Sequence, residues 1–123
     1  MASLIVVSGK SRGFFFPLEE RTMIVGRDEI CDIQVVGNLI SRRHVQIRFD
    51  PQGKTFLATD LQSTNGVFVN GQQISHEVRI QDGDTITIGE SKLFFTSEDF
   101  LDRDAAIAHL KFRGEGGRSK LIQ

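Results

Sequence analysis

Three short segments concentrate the side chains able to hold an oxyanion. The first is Gly26-Arg27, and the second is Gly37-Asn38-Leu39-Ile40-Ser41-Arg42-Arg43-His44. The third is Gln62-Ser63-Thr64-Asn65-Gly66. Ser41 offers a hydroxyl, Arg42 a guanidinium and Thr64 a second hydroxyl, a set suited to a phosphate. Asn65 carries both a donor and an acceptor, which is what an extended peptide backbone needs. Charge-assisted bonds contribute roughly 1.5–3 kcal/mol each, so two or three suffice for micromolar binding, about −8 kcal/mol, after association costs. Taken singly, the same Ser, Thr and Asn are also ordinary turn residues.

The elements that must position these segments read as strands. Leu4 to Val7, Phe14 to Phe16, Met23 to Val25, Ile33 to Val36, Phe56 to Leu61, Val67 to Val69 and Leu93 to Phe95 are short apolar runs between turn residues. Val45, Ile47 and Phe49 alternate with Gln46 and Arg48, and Ile86 and Ile88 alternate likewise. Period-two alternation with turn signals about every ten residues predicts an all-β sandwich or barrel. Asn65-Gly66 and Asn70-Gly71 suit tight turns at positive φ. One strand, a turn and another strand separate the second segment from the third, so antiparallel pairing puts both at one end. Arg27 lies one strand further back, and simple alternation sends it to the opposite end.

The pattern changes after Phe95. Ser97 can cap a helix, with Glu98 and Asp99 in its first turn. Leu101, Ala105, Ala108 and Phe112 recur at helical spacing. These signs predict about fifteen residues of helix ending at Gly114. The Gly-rich, charged stretch from Glu115 to Gln123 reads as a flexible tail.

Gly26-Arg27, Ser41-Arg42-Arg43-His44, Ser63-Thr64-Asn65-Gly66 and Val69-Asn70-Gly71, in that order and spacing, resemble the signature of the forkhead-associated (FHA) family. The resemblance covers roughly Leu4 to Thr96. It implies an FHA-type β-sandwich of about eleven strands whose apical loops bind a phosphothreonine peptide. On that resemblance Arg27 reaches the phosphate, Ser41 hydrogen-bonds a phosphate oxygen, and Arg42 stands at the next position, which often touches phosphate. Thr64 lines the pocket around the threonine methyl, and Asn65 grips the peptide backbone. His44 braces its loop without touching ligand, and Gly26, Gly66, Asn70 and Gly71 shape the backbone. The expected organisation is a phosphopeptide-binding domain over residues 1–96, followed by a C-terminal helix and tail over 97–123.

Other chemistries fit less well. Ser41 and His44 could be a nucleophile and base, with Asp60 as a third member, but no nucleophile-elbow pattern surrounds them. Gly9-Lys10-Ser11 resembles the end of a nucleotide-binding loop, but Leu4 stands where that motif needs glycine. His44, His76 and His109 have no metal-ligand spacing with Cys31. Asp82-Gly83-Asp84 is too short for a calcium loop and reads as a hairpin turn. The net charge of −1 provides no global field towards nucleic acid or membrane. No stretch approaches the ~20 apolar residues of a membrane span. Cys31 is the sole cysteine, which leans towards a reducing compartment, the cytoplasm, and reads as a small buried apolar residue. The expectation is therefore a binding module, not an enzyme, without cofactor. Its partner is a phosphothreonine-containing protein of a Ser/Thr kinase pathway. The competing reading is an interaction domain of the same fold that binds without phosphate.

Overall fold

The computed structural model describes residues 2–97 together with 104, 105, 107 and 108. Eleven strands follow one another: β1 (Ser3–Ser8), β2 (Phe15–Pro17), β3 (Met23–Gly26), β4 (Ile33–Gln34), β5 (Val45–Asp50), β6 (Thr55–Asp60), β7 (Val67–Val69), β8 (Gln72–Gln73), β9 (Val78–Ile80), β10 (Thr85–Ile88) and β11 (Ser91–Thr96). They form a six-stranded sheet, β2-β1-β11-β10-β7-β8, and a five-stranded sheet, β4-β3-β5-β6-β9. The fold is an all-β sandwich, one of the two architectures that the alternation implied and the one that the family resemblance implied.

Alternate residues of each strand make the core between the sheets. Leu4, Val6, Ile86, Ile88 and Leu93 from one sheet meet Val25, Val45, Ile47 and Ala58 from the other. Burying a side chain of Val, Leu or Ile size contributes roughly 1.5–3 kcal/mol, so this layer dominates the stability. Phe49, Phe56 and Phe95 close the far end, with ring centroids 5.1 and 5.8 Å apart along the series. β1 is apolar on both faces because both are covered. Ile5 and Val7 form a second cluster with Phe94 on the outer face of the six-stranded sheet, with Phe15 and Ile107 packed against it.

Asp104, Ala105, Ile107 and Ala108 are helical or adjoin the helix. The rest of the helix and tail expected over 97–123 lies outside the described residues. The expected apolar face needs correction. Ala105 and Ala108 are exposed, and Ile107 is the residue that packs on the sheet. A β-branched side chain covers more apolar surface than two methyl groups, so burial selects isoleucine. Ser97 N–H donates to Asp82 Oδ1 at 2.9 Å. The Asp82-Gly83-Asp84 turn also departs from expectation, because β9 and β10 belong to different sheets and the turn carries the chain between them.

The strand count that sent Arg27 to the wrong end fails at β4. That strand is two residues long and runs parallel to β3, with Val25 opposite Ile33 and Gly26 opposite Gln34. Parallel neighbours need a crossover, and residues 27–32 supply it. β5 then runs antiparallel to β3, placing Val45 opposite Val25. The end of β3 and the start of β5 therefore share one end of the sandwich, and Arg27 arrives beside Ser41.

Candidate functional site

Backbone hydrogen bonds fasten the first loop to the second. Arg27 N–H donates to the Ser41 carbonyl at 3.0 Å, and Asp28 N–H donates to the Arg42 carbonyl at 3.1 Å. The approach is close enough that a Cβ on Gly26 would run into the Arg42 carbonyl, which is why glycine stands there. Arg27 Nε donates to the Ile40 carbonyl at 2.9 Å. This bond orients the guanidinium and leaves both terminal nitrogens without a partner among the described residues. Arg27, Asp28, Glu29, Gln34 and Arg42 line a shallow cleft of about 380 Å³.

His44 fastens the second loop to the third. It is fully buried, and its Nδ1 accepts the Ser41 backbone N–H at 3.0 Å. An accepting Nδ1 carries no proton, so the hydrogen of the neutral ring sits on Nε2 and points at the Gly66 carbonyl, 2.7 Å away. Two further bonds join the same loops. Thr64 N–H donates to Ser41 Oγ at 3.1 Å, which leaves the Ser41 hydroxyl hydrogen available to an acceptor. Asn65 Nδ2 donates to the Leu39 carbonyl at 2.9 Å. Within the third loop, Ser63 donates from N and Oγ to Asp60 Oδ1 at 2.9 and 2.7 Å. Ser63 Oγ in turn accepts the Gly66 N–H at 3.0 Å. Asp60, a possible third member of a catalytic set by type, is thereby a loop cap.

The structure thus brings Arg27, Ser41, Arg42, Thr64 and Asn65 to one end. Arg27, Arg42, Thr64 and Asn65 are exposed, and Ser41 is half-buried. Asn70 and Gly71 lie at the other end of β7. Their φ values of 51° and 84° make the tight turn into β8. Asn70 Nδ2 donates to Asp84 Oδ1, and Asn70 Oδ1 accepts Thr85 N–H, each at 2.9 Å. These residues reach the site only at second hand: the returning β8 lays the Gln73 amide within 2.7 Å of where a Gly66 Cβ would stand.

One residue near the site escaped the sequence reading and another was read for a different role. Glu90, in the turn between β10 and β11, accepts the Leu39 N–H at 3.3 Å. Gly37 leaves the space that the Glu90 carboxylate fills. No local signal marks this contact, because 51 residues separate its partners. Cys31 is half-buried and is not the enclosed apolar residue expected of it. Its thiol donates to the Arg42 carbonyl at 3.1 Å, satisfying the loop from beneath. Partial burial, with the Asp28 charge nearby, raises the thiol pKa and keeps the hydrogen on sulfur. Among the described residues, no group of three or more His, Cys, Asp or Glu is placed to hold a metal ion.

An eleven-stranded sandwich with these interlocked loops is an FHA domain. The FHA-domain profile matches residues 23–89, more than half the chain, and the chain belongs to that family. It is 37% identical over 81 residues to the FHA domain-containing protein FhaA of Mycobacterium tuberculosis, covering 66% of this chain and 15% of that protein. It is 34% identical over 94 residues to the glycogen accumulation regulator GarA of Mycolicibacterium smegmatis, covering 76% of this chain and 58% of GarA. The chain thus spans less than two thirds of either relative. A solved FHA domain studied for its phosphothreonine-dependent interactions superposes with a TM-score of 0.70 at 32% identity, over 80% of this chain and 98% of that one.

Proposed function

We propose that the chain is a phosphothreonine-dependent interaction module. The observation that carries the reading is Arg27, held by Nε with its terminal nitrogens without a partner among the described residues, beside the Ser41 hydroxyl, which accepts from Thr64 and has its own hydrogen to give. Arg27, Ser41 and Arg42 hold the phosphate, and Thr64 flanks the threonine methyl. Asn65 uses its amide N–H on Leu39 and presents Oδ1 to a peptide N–H. His44, Gly26 and Gly66 hold the loops, with Asn70 and Gly71 behind them. The partner is a phosphothreonine-containing protein of a Ser/Thr kinase pathway, a class in line with the phosphothreonine dependence of the related solved domain.

The same bonds argue for binding over catalysis. Both ring nitrogens of His44 are engaged, one by a backbone N–H and one by a backbone carbonyl. Neither is free to take a proton from Ser41 Oγ, so the pair cannot work as base and nucleophile. No helix among the described residues is long and apolar enough to cross a membrane. We place the module in the cytoplasm, in keeping with its single cysteine and absent disulfide. We assign the binding domain to residues 1–96 and place 97–123 outside it.

The test is Arg27→Ala, titrated with a phosphothreonine peptide chosen from an array. Affinity should fall roughly 10- to 150-fold, about 1.5–3 kcal/mol for a lost charge-assisted bond, with the melting temperature little changed. Unchanged affinity in a folded variant would instead support phosphate-independent binding.

A further inference from the structure

Four large apolar side chains stand exposed among the described residues: Phe14 at 55%, Ile30 at 80%, Val36 at 46% and Leu39 at 51%. Phe14 and Val36 stand on two segments that a single residue joins. Ser11, only 2% exposed, accepts the Val36 N–H on its Oγ at 3.0 Å and the Phe14 N–H on its carbonyl at 3.1 Å. One buried serine therefore ties together the backbones of two separate segments, each of which carries one of these exposed side chains. Phe14 is further steadied by Phe16, with ring centroids 6.0 Å apart. A patch on fixed backbone loses little freedom when it binds.

We propose that Phe14 and Val36 form a second contact site for the phosphorylated partner, taking an apolar side chain that has acidic neighbours. The inference rests on the phosphothreonine reading and extends it. Continuity argues for the same partner: Val36 and Ser41 belong to the one loop between β4 and β5, so the patch and the phosphate loops share a segment. Charge argues for acidic neighbours. Lys10 and Arg12, in the turn that contains Ser11, are exposed and pair with no carboxylate among the described residues. The carboxylate that does reach this loop, Glu90, is turned onto the Leu39 N–H. Ile30 is left out because Asp28 and Glu29 adjoin it and would repel an acidic segment.

The experiment uses the full chain and a synthetic peptide library with a fixed phosphothreonine and degenerate positions on both sides. Wild type should enrich an apolar residue beside Asp or Glu at a set distance from the phosphothreonine. The Phe14→Glu/Val36→Glu double variant should lose that enrichment and bind the selected peptide about tenfold more weakly, the worth of one buried apolar side chain. Both proteins should bind equally a version of that peptide with serine at the apolar position, which shows that the variant is folded and its phosphate loops intact. Lys10→Glu/Arg12→Glu should keep the apolar preference and lose the acidic one. Identical enrichment by wild type and the Phe14/Val36 variant overturns the inference while the phosphothreonine reading stands. Retention of unphosphorylated peptides equal to phosphorylated ones overturns that reading first. A dimer that becomes monomeric in the Phe14/Val36 variant, with peptide selection unchanged, assigns the patch to a second copy and also overturns it.

Discussion

Asn65-Gly66 and Asn70-Gly71 are the same dipeptide at the two ends of one three-residue strand, Val67–Val69, and their structures differ. Asn70 is left-handed, with φ 51°, and its side chain closes a local turn onto Asp84 and Thr85. Asn65 is not left-handed, and its side chain reaches 26 residues back to the Leu39 carbonyl. Both glycines have positive φ, 83° and 84°, but Gln73 crowds Gly66 while nothing lies within 4 Å of a Cβ built on Gly71. One pair closes a hairpin and the other locks the third loop onto the second. A local motif states what the backbone can do; the partners brought by the fold decide its use.

The asparagines separate the two roles most sharply. Asn65→Ala should weaken phosphothreonine-peptide binding by about 1–3 kcal/mol, roughly 5- to 150-fold, because it removes the Leu39 bond and the acceptor offered to the peptide. Asn70→Ala should cost a similar free energy in stability and change affinity by less than about twofold. Calorimetric titration and thermal melts on both variants check this. The reverse assignment, with Asn70 controlling affinity, breaks the comparison.

The glycines give a smaller contrast. Each Gly→Ala change forces a left-handed alanine, costing roughly 1–2 kcal/mol. At Gly71 that is the whole expected effect. At Gly66 the Gln73 side chain must also move, so Gly66→Ala should be the more destabilising, and it should loosen the His44 bond to the Gly66 carbonyl. Equal melting temperatures would show that the Gln73 contact carries no cost.

A site remote from both turns provides the control and the smallest effect. Arg48 Nε and a terminal nitrogen donate to the two oxygens of Glu77 at 3.0 and 2.9 Å, on the outer face of the five-stranded sheet. The Arg48 hydrogen bonds lower the Glu77 pKa beneath its ordinary value of 4.5. A lowered folded-state pKa contributes stability above that ordinary value, lost as pH falls through the folded one. Both side chains are substantially exposed, so the contribution stays below about 1 kcal/mol. Arg48→Met should remove this acid-sensitive component and leave peptide affinity unchanged, measured by melts from neutral pH down to the acid limb.

Strands were legible because a half-buried strand writes its burial into every second residue, as Val45 and Ile47 do against Gln46 and Arg48. The direction of β4 was not, because two residues carry no periodicity and their pairing with β3 is made by backbone groups common to all residues. The position of Arg27 failed with it on strand counting, and only the family resemblance put that residue at the same end as Ser41. The loop residues were legible by type and by resemblance. Their interlocking through Ser41, His44 and Asn65 was not, since each bond depends on loops that the fold brings together. Ile107 was passed over for Ala105 and Ala108 because helical spacing was weighed without side-chain size.

The most direct measurement is a titration of the full chain with three versions of one array-selected peptide, carrying phosphothreonine, phosphoserine or unmodified threonine. The arrangement of Arg27, Ser41, Arg42, Thr64 and Asn65 predicts micromolar binding of the first, about −8 kcal/mol. It predicts weaker binding of the second, which lacks the methyl group beside Thr64, and none detectable of the third. Equal affinity for all three would contradict the account.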